Sequence, residues 1–210
     1  TEEDKENWGS QKHICVIPNA NTFSPIRTAA LDAKKVIAVG RYSYQKGFDR
    51  LIDAWRIVTK SCPDWQLEIV GEGDEKVALQ NRIDRYGLAE QVKLMPATTA
   101  IEKVYFGASV MVLSSHYEGL PMVLLEAQSF GLPIVSFACQ CGPKDIVEDG
   151  ETGYLVPEGN VEQLAERLVN VMTNETLRKA MGRRAKEASH RYDEDRVMKQ
   201  WIDMFKSLTK

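Results

Sequence analysis

Residues 34–41 read Lys34-Lys35-Val36-Ile37-Ala38-Val39-Gly40-Arg41. Its run of β-branched and small apolar residues predicts a buried strand that ends at Gly40, and apolar residues at helical spacing follow from 48 to 58. The same alternation continues along the chain, with further strands predicted at 67–70, 92–95, 110–113, 134–137 and 153–156. Continuous apolar strands that alternate with amphipathic helices are typical of a parallel sheet covered on both faces. We therefore predict an α/β fold with about six parallel strands.

Helices are predicted near 75–86 and over 121–130. After residue 157 the strand pattern stops and three helices follow. The first begins after Asn160, which forms a capping box with Gln163, and the second begins at Asn174. The last is entered through Tyr192-Asp193-Glu194. Its apolar stripe is formed by Val197, Trp201, Met204 and Leu208. This stripe must pack against another surface.

The chain divides into three parts. Residues 1–33 are polar and irregular apart from an apolar piece at 13–18, so we predict a leader and linker there. Residues 34–190 form the predicted α/β domain, and residues 191–210 form the final helix. A length of 210 residues accommodates one α/β layer of this kind but not two.

Composition argues against several classes of function. The 27 Lys and Arg against 30 Asp and Glu give a net charge of −3 without long blocks of one sign, so a broad surface for nucleic acid or anionic membranes is not expected. No apolar stretch approaches the roughly 20 residues that span a bilayer, and no signal-peptide pattern appears near residue 1. Four cysteines are too few for a disulfide framework. We expect a soluble protein of the reducing cytoplasm.

Two cations follow the first predicted strand. In an open parallel sheet, ligands bind beyond the carboxyl ends of the strands. The loop there carries Arg41 and Lys46 between Gly40 and Gly47. An arginine fork and a lysine point charge in a folded-back loop can converge on one anion, and the glycines allow close backbone approach. Two solvated loop cations are the alternative.

The second predicted strand ends in Gly71-Glu72-Gly73. A G-x-G pattern here is typical of dinucleotide-binding folds, but Lys76 replaces the third glycine of G-x-G-x-x-G. A tight strand-to-helix turn that lines the cleft is therefore favoured over direct binding of a phosphate.

The loop after the fourth strand holds most of the predicted chemistry. It reads Ser114-Ser115-His116-Tyr117-Glu118-Gly119-Leu120-Pro121-Met122-Val123. Pro121 suits the first turn of a helix, where no N–H is needed. The backbone amides from Gly119 to Val123 then form an open helix N-terminus that favours anions.

Two carboxylates flank this helix end. Glu118 lies just before it and Glu126 lies inside it. A carboxylate accepts two hydroxyls at once, as the diols of ribose and hexoses offer, so the pair suggests a sugar nucleotide. The alternatives are a favourable charge at a helix N-terminus for Glu118 and an exposed helix position for Glu126.

Together and in this order, the motifs resemble the C-terminal, donor-binding domain of retaining glycosyltransferases with two Rossmann-like domains, the GT-B architecture (glycosyl transferases group 1, family 4-like). The resemblance runs from about Val16 to the C-terminus, and Glu118 and Glu126 have the family's Glu-x7-Glu spacing. The segments that carry it are Val16-Ile17-Pro18-Asn19, Gly40-Arg41 with Lys46-Gly47, Val70-Gly71-Glu72-Gly73, Glu118-Gly119-Leu120-Pro121 with Glu126-Ala127, Gly131-Leu132-Pro133-Ile134-Val135, Gly142-Pro143, and Asp149-Gly150 with Gly153.

The resemblance implies a fold and a role for each site residue. The fold would be one half of GT-B, a single Rossmann-like, doubly wound parallel sheet with C-terminal helices. Arg41 and Lys46 would bind the donor diphosphate, and Glu118 would lie beside the donor hexose. Glu126 would hold the ribose. The remaining donor-binding positions would be Gly40, Gly71, Gly73, Met95, Pro96, Gly119, Leu120, Pro121, Met122 and Val123.

The loop Met95-Pro96-Ala97-Thr98 would flank the base, although Pro96 departs from the glycine that the family commonly has there. The donor would be a nucleoside diphosphate sugar, a UDP-sugar in preference to a GDP-sugar, with no cofactor. The family places an acceptor-binding domain before this segment, so the chain is interpreted as half of an enzyme, inactive alone. The other half would bind a glycan or lipid-linked acceptor and make any peripheral contact with the inner face of the membrane. The helix at 191–210 would cross back to that half.

Three features have a structural explanation that we favour. Cys139 and Cys141 are predicted to be small buried thiols, since a lone C-x-C is a poor zinc site. Asp193-Glu194-Asp195 matches a D-x-D metal-binding pattern, but acids also suit the start of the helix that it opens. A retaining transfer needs no base from this domain, so His116 is expected to be an ordinary loop histidine. We expect no metal site.

Two other functions stay open. Within the same fold the nearer alternative is a sugar-nucleotide epimerase, and from another class it is a non-catalytic module that binds a nucleotide or a partner protein. An NAD-dependent oxidoreductase is disfavoured, because the glycine fingerprint is broken and no acid stands at the end of the strand that should follow it.

Overall fold

Six parallel strands form the centre of the structure, a computed structural model that describes residues 1–8 and 14–208. Their order across the sheet is β3-β2-β1-β4-β5-β6. The strands are β1 (Lys35–Val39), β2 (Gln66–Val70), β3 (Val92–Met95), β4 (Val110–Leu113), β5 (Ile134–Phe137) and β6 (Gly153–Val156).

Helices cover both faces of this sheet. They are α1 (Glu2–Asn7), α2 (Phe48–Val58), α3 (Lys76–Arg85), α4 (Ile101–Phe106), α5 (Met122–Ser129), α6 (Pro143–Ile146), α7 (Val161–Thr173), α8 (Glu175–Ser189) and α9 (Glu194–Leu208). Alternate residues of β1 serve opposite faces: Val36 and Ala38 belong to the core formed with α2, α3 and α7, whereas Ile37 belongs to the core formed with α4 and α5. The expected doubly wound, Rossmann-like α/β fold is confirmed.

The sheet has a topological switch point between β1 and β4. The chain runs outward from β1 through β2 to β3, then returns to pair β4 with the other side of β1, where Val36 lies opposite Val110. At such a point the loops that follow the two strands separate and leave a crevice at the carboxyl edge of the sheet. The loops after β1 and β4 are those in which the sequence places most of the site.

The predicted strands at 92–95, 110–113, 134–137 and 153–156 are confirmed residue for residue. The helix predicted at 121–130 is shorter, because Pro121 is its N-cap with ψ 94° and the first helical residue is Met122. Helix α1 lies within the segment that was predicted to be irregular. Its sequence places acidic residues before Lys5, which lies in the last turn, and this order of charges favours a helix. Helix α4 was not identified separately from the sequence. Residue 13 of the predicted apolar piece and residues 209–210 of the final helix lie outside the described residues.

The predicted cap of α7 is confirmed, but the Gln163 side chain accepts its hydrogen bond from the side chain of Asn160 and not from its backbone N–H. Asn160 Oδ1 accepts a hydrogen bond from the backbone N–H of Gln163 at 3.0 Å. The Gln163 side chain accepts from the side-chain amide of Asn160 at 3.3 Å, because the Asn160 backbone N–H already donates to Pro157. Asn174 caps α8 in the same way by accepting from Leu177 N–H.

The last helix, α9, packs by one end of its apolar stripe. Val197 is buried, whereas Trp201 is 38% exposed and Leu208 is 74% exposed. Trp201 and Phe205 stack on each other with ring centroids 5.9 Å apart. Most of the predicted stripe therefore lies on the surface of this chain.

Candidate active site

The loops after β1 and β4 are joined by an ion pair between Lys46 and Glu118. Lys46 Nζ lies 2.8 Å from Glu118 Oε1, and the side chains are 18% and 6% exposed. The hydroxyl of Ser115 donates to the same oxygen at 2.6 Å. Glu118 Oε2 has no hydrogen-bond partner within residues 1–8 and 14–208. The structure thus brings together two residues that the sequence assigned to the site, and adds Ser115, which the sequence did not identify.

The second predicted cation, Arg41, is exposed at the edge of a cavity of about 410 Å³. Among the described residues it has no ion-pair or hydrogen-bond partner. Its guanidinium is therefore available to an incoming anion, and its convergence with Lys46 on one ligand stays a prediction. The cavity is lined by Val39, Gly40, Arg41, Val70, Gly71, Glu72, Ala97, Thr98 and Ile101.

The glycines of the first two loops allow the loops to touch. A Cβ on Gly71 would lie 1.9 Å from the carbonyl oxygen of Gly40, and a Cβ on Gly73 would lie 2.3 Å from that of Tyr42. The N–H of Tyr42 donates to the carbonyl of Glu72 at 2.8 Å. Backbone packing thus explains these positions, in line with the tight turn favoured from the sequence. Gly40 and Gly71 also line the cavity beside Arg41.

A buried tyrosine fixes the same edge of the sheet. The Tyr42 hydroxyl lies 2.8 Å from the carbonyl oxygen of Ile69 and 2.6 Å from that of Met95. Burial is the main cause that raises the pKa of Tyr42 to about 12, so its phenol stays a donor. Nothing in the local sequence pattern identified this role.

The loop predicted to flank a base begins at Met95, the last residue of β3. Met95 and Pro96 are exposed, and the residues of this loop that line the cavity beside Arg41 are Ala97 and Thr98. The predicted contacts of Met95 and Pro96 with a base stay predictions.

The N-terminus of α5 is open. The backbone amides of Gly119, Leu120, Met122 and Val123 donate no hydrogen bond to any described residue, and Leu124 N–H makes the first bond, to Pro121. Unsatisfied amides at a helix start carry a partial positive charge. Gly119 and Leu120 face a second cavity, of about 480 Å³, that is also lined by Val16, Ile17, Pro18, Asn19, Asp145, Arg191, Tyr192 and Gln200.

The loop before α6 supports this helix start from behind. Gly142 has φ +80°, and a Cβ there would lie 2.2 Å from the carbonyl oxygen of Gly119 and 2.4 Å from Cδ of Pro121. Cys139 and Cys141 are buried in the same loop, as predicted. Burial is the main cause that raises the pKa of Cys139 to about 12, and the charges of Glu118 and Glu158 add to it.

The second predicted carboxylate is held by one oxygen. Glu126 Oε2 accepts a hydrogen bond from the hydroxyl of Tyr105 at 2.6 Å, and Tyr105 is fully buried in α4. Burial, with the neighbouring Glu126 charge, raises the pKa of the Tyr105 phenol far above its ordinary value, so it acts only as a donor. Glu126 Oε1 has no partner in the described part of the chain. No local pattern in the sequence identified Tyr105, because it lies in α4, the helix that was not predicted.

Asp193-Glu194-Asp195 opens α9, as the structural explanation predicted, with Asp193 Oδ2 3.0 Å from Nδ1 of His190. Nowhere in the described residues do three His, Cys, Asp or Glu side chains lie close enough to hold a metal ion.

A family model described as "Glycosyl transferases group 1" matches residues 20–188. The chain belongs to this family. The recognition made from the Glu-x7-Glu segment and the glycine-rich loops is therefore confirmed.

Two relatives within the glycosyltransferases are each 35% identical to the chain. One is an uncharacterized glycosyltransferase of Haemophilus influenzae, aligned over 205 residues, which are 96% of this chain and 58% of that protein. The other is the amylovoran biosynthesis glycosyltransferase AmsD of Erwinia amylovora, aligned over 202 residues, which are 93% of this chain and 56% of that protein. The chain thus spans little more than half the length of these relatives.

Among solved structures, a variant of Staphylococcus aureus TarM in complex with fondaparinux, α-GlcNAc-glycerol and UDP superposes with a TM-score of 0.87. It is 27% identical, and the match covers 96% of this chain and 41% of that one. In the described part of this glycosyltransferase-family chain, none of the helices has the length and apolar character to cross a bilayer.

Proposed function

We propose that this chain is the donor-binding half of a retaining, metal-independent glycosyltransferase, which moves a hexose or N-acetylhexosamine from a nucleoside diphosphate sugar to a glycan, lipid or other acceptor. The observation that carries the proposal is the ion pair between Lys46 and Glu118 at the switch point. Glu118 lies in the loop that leads to the N-terminus of α5, where the backbone amides are unsatisfied by any described residue. The TarM crystals that hold UDP support it, because that protein shares this fold at 27% identity.

The diphosphate of the donor would meet three sources of positive charge. Lys46 offers an ammonium already fixed in position, Arg41 offers a guanidinium without a partner among the described residues, and the α5 amides offer aligned dipoles. Charge develops on the departing nucleotide as the glycosidic bond breaks, and preorganised donors stabilise it. These groups would take the place of a metal ion.

The carboxylates would orient the sugars of the donor. Glu118 Oε2 would accept hydroxyl groups of the hexose while Oε1 stays bound to Lys46 and Ser115. Glu126 Oε1 would accept a ribose hydroxyl while Oε2 stays bound to Tyr105. The retaining outcome enters the proposal through the resemblance of the Glu-x7-Glu segment.

The base would occupy the cavity beside Arg41, which ends at Ala97 and Thr98. Its volume of about 410 Å³ lies in the range of small-molecule sites. We favour a UDP-sugar over a GDP-sugar because the TarM complex contains UDP.

The acceptor would be bound by another domain of the same protein. The relatives are longer than this chain, which spans 58% and 56% of them. The exposed face of α9 would pack against that domain, since Trp201, Ile202 and Phe205 form an apolar surface there. Work at the inner face of the membrane would then depend on the acceptor domain.

Calorimetric titration of UDP, GDP and ADP into the chain tests the donor site. The proposal predicts that UDP binds most tightly, and absence of binding for every nucleoside diphosphate at millimolar concentration would refute it. Transfer by the full-length protein from a UDP-sugar should persist in EDTA. The chain alone should bind without transferring; efficient transfer by it alone would contradict the half-enzyme proposal.

A further inference from the structure

Arg50 in α2 is held on three sides beside the candidate site. Its Nη1 donates to Glu158 Oε1 at 2.6 Å, and its Nη2 donates to the carbonyl oxygen of Ser114 at 2.7 Å. Its guanidinium lies over the ring of Phe137, with Cζ 4.8 Å from the centroid. The side chain is 13% exposed. None of these contacts was anticipated from the sequence.

Ser114 is one of the points at which the loops after β1 and β4 touch. Its hydroxyl donates to the carbonyl of Lys46 at 2.9 Å, while its own carbonyl accepts from Arg50. A Cβ on Gly47, which has φ +57°, would lie 2.3 Å from this carbonyl oxygen. Arg50 therefore binds Ser114, which in turn contacts the backbone of Lys46. Ser114 immediately precedes Ser115, whose hydroxyl donates to Glu118.

Glu158 supplies the opposite charge beside the Arg50 guanidinium. Removing a guanidinium from water is costly unless hydrogen bonds or an opposite charge compensate for the lost hydration. Glu158 Oε1 also lies 3.9 Å from Nδ1 of His116, in the loop that leads to Glu118. A lysine at position 50 reaches one of the two oxygen atoms but not both, because it lacks the planar fork of arginine.

We infer that Arg50, held by Glu158, is a positioning residue that fixes Glu118 relative to Lys46. It acts through Ser114 and does not itself contact the groups assigned to the donor. Its effect on the order of the loops follows from the contacts alone, whereas its effect on catalysis rests on the proposed function.

Amide hydrogen exchange on the chain measures the first effect. The N–H of His116 donates to Gln45 at 2.8 Å and that of Glu118 donates to Gln140 at 3.1 Å, so both report on the β4 loop. In Arg50→Gln both should exchange at least about tenfold faster, with a smaller increase in Arg50→Lys and Glu158→Gln. The matched control is Arg56→Gln, since Arg56 in the same helix stacks on Tyr86 instead. It should change neither amide.

Kinetics of the full-length protein measure the second effect. Arg50→Gln should lower kcat by about tenfold or more and change the donor KM by less than about threefold, because transition-state contacts depend most on position. Arg56→Gln should leave both constants unchanged. A lower melting temperature with unchanged exchange and unchanged kcat would reduce Arg50 to a structural ion pair and overturn the inference.

The two proposals fail in different ways. If the wild-type chain binds UDP but His116 and Glu118 exchange at wild-type rates in Arg50→Gln and Glu158→Gln, the positioning inference is wrong and the proposed function stands. If exchange responds as expected but the wild-type chain binds no nucleotide, the effect of Arg50 on the order of the loops stands and the proposed function is wrong.

Discussion

The ammonium group of Lys46 lies 2.8 Å from a carboxylate oxygen of Glu118, and this pair joins the two loops on either side of the switch point. Glu118 is the more buried partner and also accepts from Ser115. Lys46 is thereby held in one position before any ligand arrives. A flexible lysine would lose side-chain entropy on binding, and this arrangement removes most of that loss in advance.

Replacing Lys46 should weaken nucleotide binding. In Lys46→Met, loss of one charged contact to the diphosphate should reduce UDP affinity by about tenfold to hundredfold, as is usual for hydrogen bonds to charged groups. Lys60→Met is the matched control, because Lys60 is exposed beyond the end of α2. Equal UDP affinities of the two variants by calorimetry would show that Lys46 does not contact the ligand.

Substitutions at Lys46 and Glu118 should have non-additive effects on the free energy of unfolding. Lys46→Met leaves the Glu118 carboxylate buried without its cation, which should reduce the free energy of unfolding by about 1–3 kcal/mol. Adding Glu118→Gln removes the stranded charge, so the double variant should regain part of that loss. Urea unfolding of the four proteins measures the coupling, and strictly additive losses would mean that the ion pair does not contribute.

The Tyr105–Glu126 hydrogen bond should affect ribose binding selectively. Tyr105→Phe removes the donor to Glu126 Oε2 and should cost about 1 kcal/mol of stability. It should weaken UDP binding severalfold and leave the affinity for inorganic pyrophosphate unchanged, because pyrophosphate lacks the ribose. Tyr86→Phe serves as control, since its ring stacks on Arg56. An equal loss of affinity for both ligands would place Glu126 away from the ribose.

Alanine substitutions at two glycines of the candidate site should affect different properties, the stability of the fold at Gly71 and ligand binding at Gly119. A Cβ on Gly71 meets the Gly40 backbone at 1.9 Å, so Gly71→Ala should destabilise the fold by about 3 kcal/mol or more. Gly119 has nothing within 4 Å of its added Cβ. Gly119→Ala should therefore fold normally but weaken UDP-sugar binding, because a methyl group at one of the residues whose amides have no described partner would occupy space that is open to a ligand. Thermal unfolding and calorimetry separate the two outcomes, and a stable Gly71→Ala would contradict the loop packing.

Stability should fall at alkaline pH because of the buried Cys139 thiol. Its folded-state pKa is about 12, above the ordinary value near 9, so the unfolded chain loses this proton first as pH rises. The contribution is complete below about pH 9 and is lost progressively towards pH 12, at no more than about 1.4 kcal/mol per pH unit for one group. Tyr42, with its pKa of about 12, adds to the loss above about pH 10.

Urea unfolding between about pH 8 and pH 11 checks this dependence. Cys139→Ala should flatten the decline above pH 9, whereas Cys15→Ala, at an exposed thiol, should not. Identical slopes for the two variants would show that the thiol of Cys139 is not protected from ionisation.

The strands could be predicted, and a candidate site could be placed among them, because both kinds of signal are local. Each strand is a short apolar run that ends at a turn, and parallel connectivity brings the loops after β1 and β4 to one edge. The carboxylates and cations could be named because they follow those strands in the sequence.

The residues that hold these groups in position could not be predicted from the sequence. Tyr105 contacts Glu126 from 21 residues away and Arg50 contacts Glu158 from 108 residues away, so only tertiary packing brings them together.

Amide chemical shifts recorded while UDP is titrated into the chain show directly where the nucleotide binds. The proposed function predicts that the amides of Gly119, Leu120, Met122 and Val123 shift with those of the 40–47 loop, while those of α8 do not. Shifts confined to other surfaces, or no shift at millimolar UDP, would contradict the assignment of the switch-point crevice as the nucleotide-sugar site.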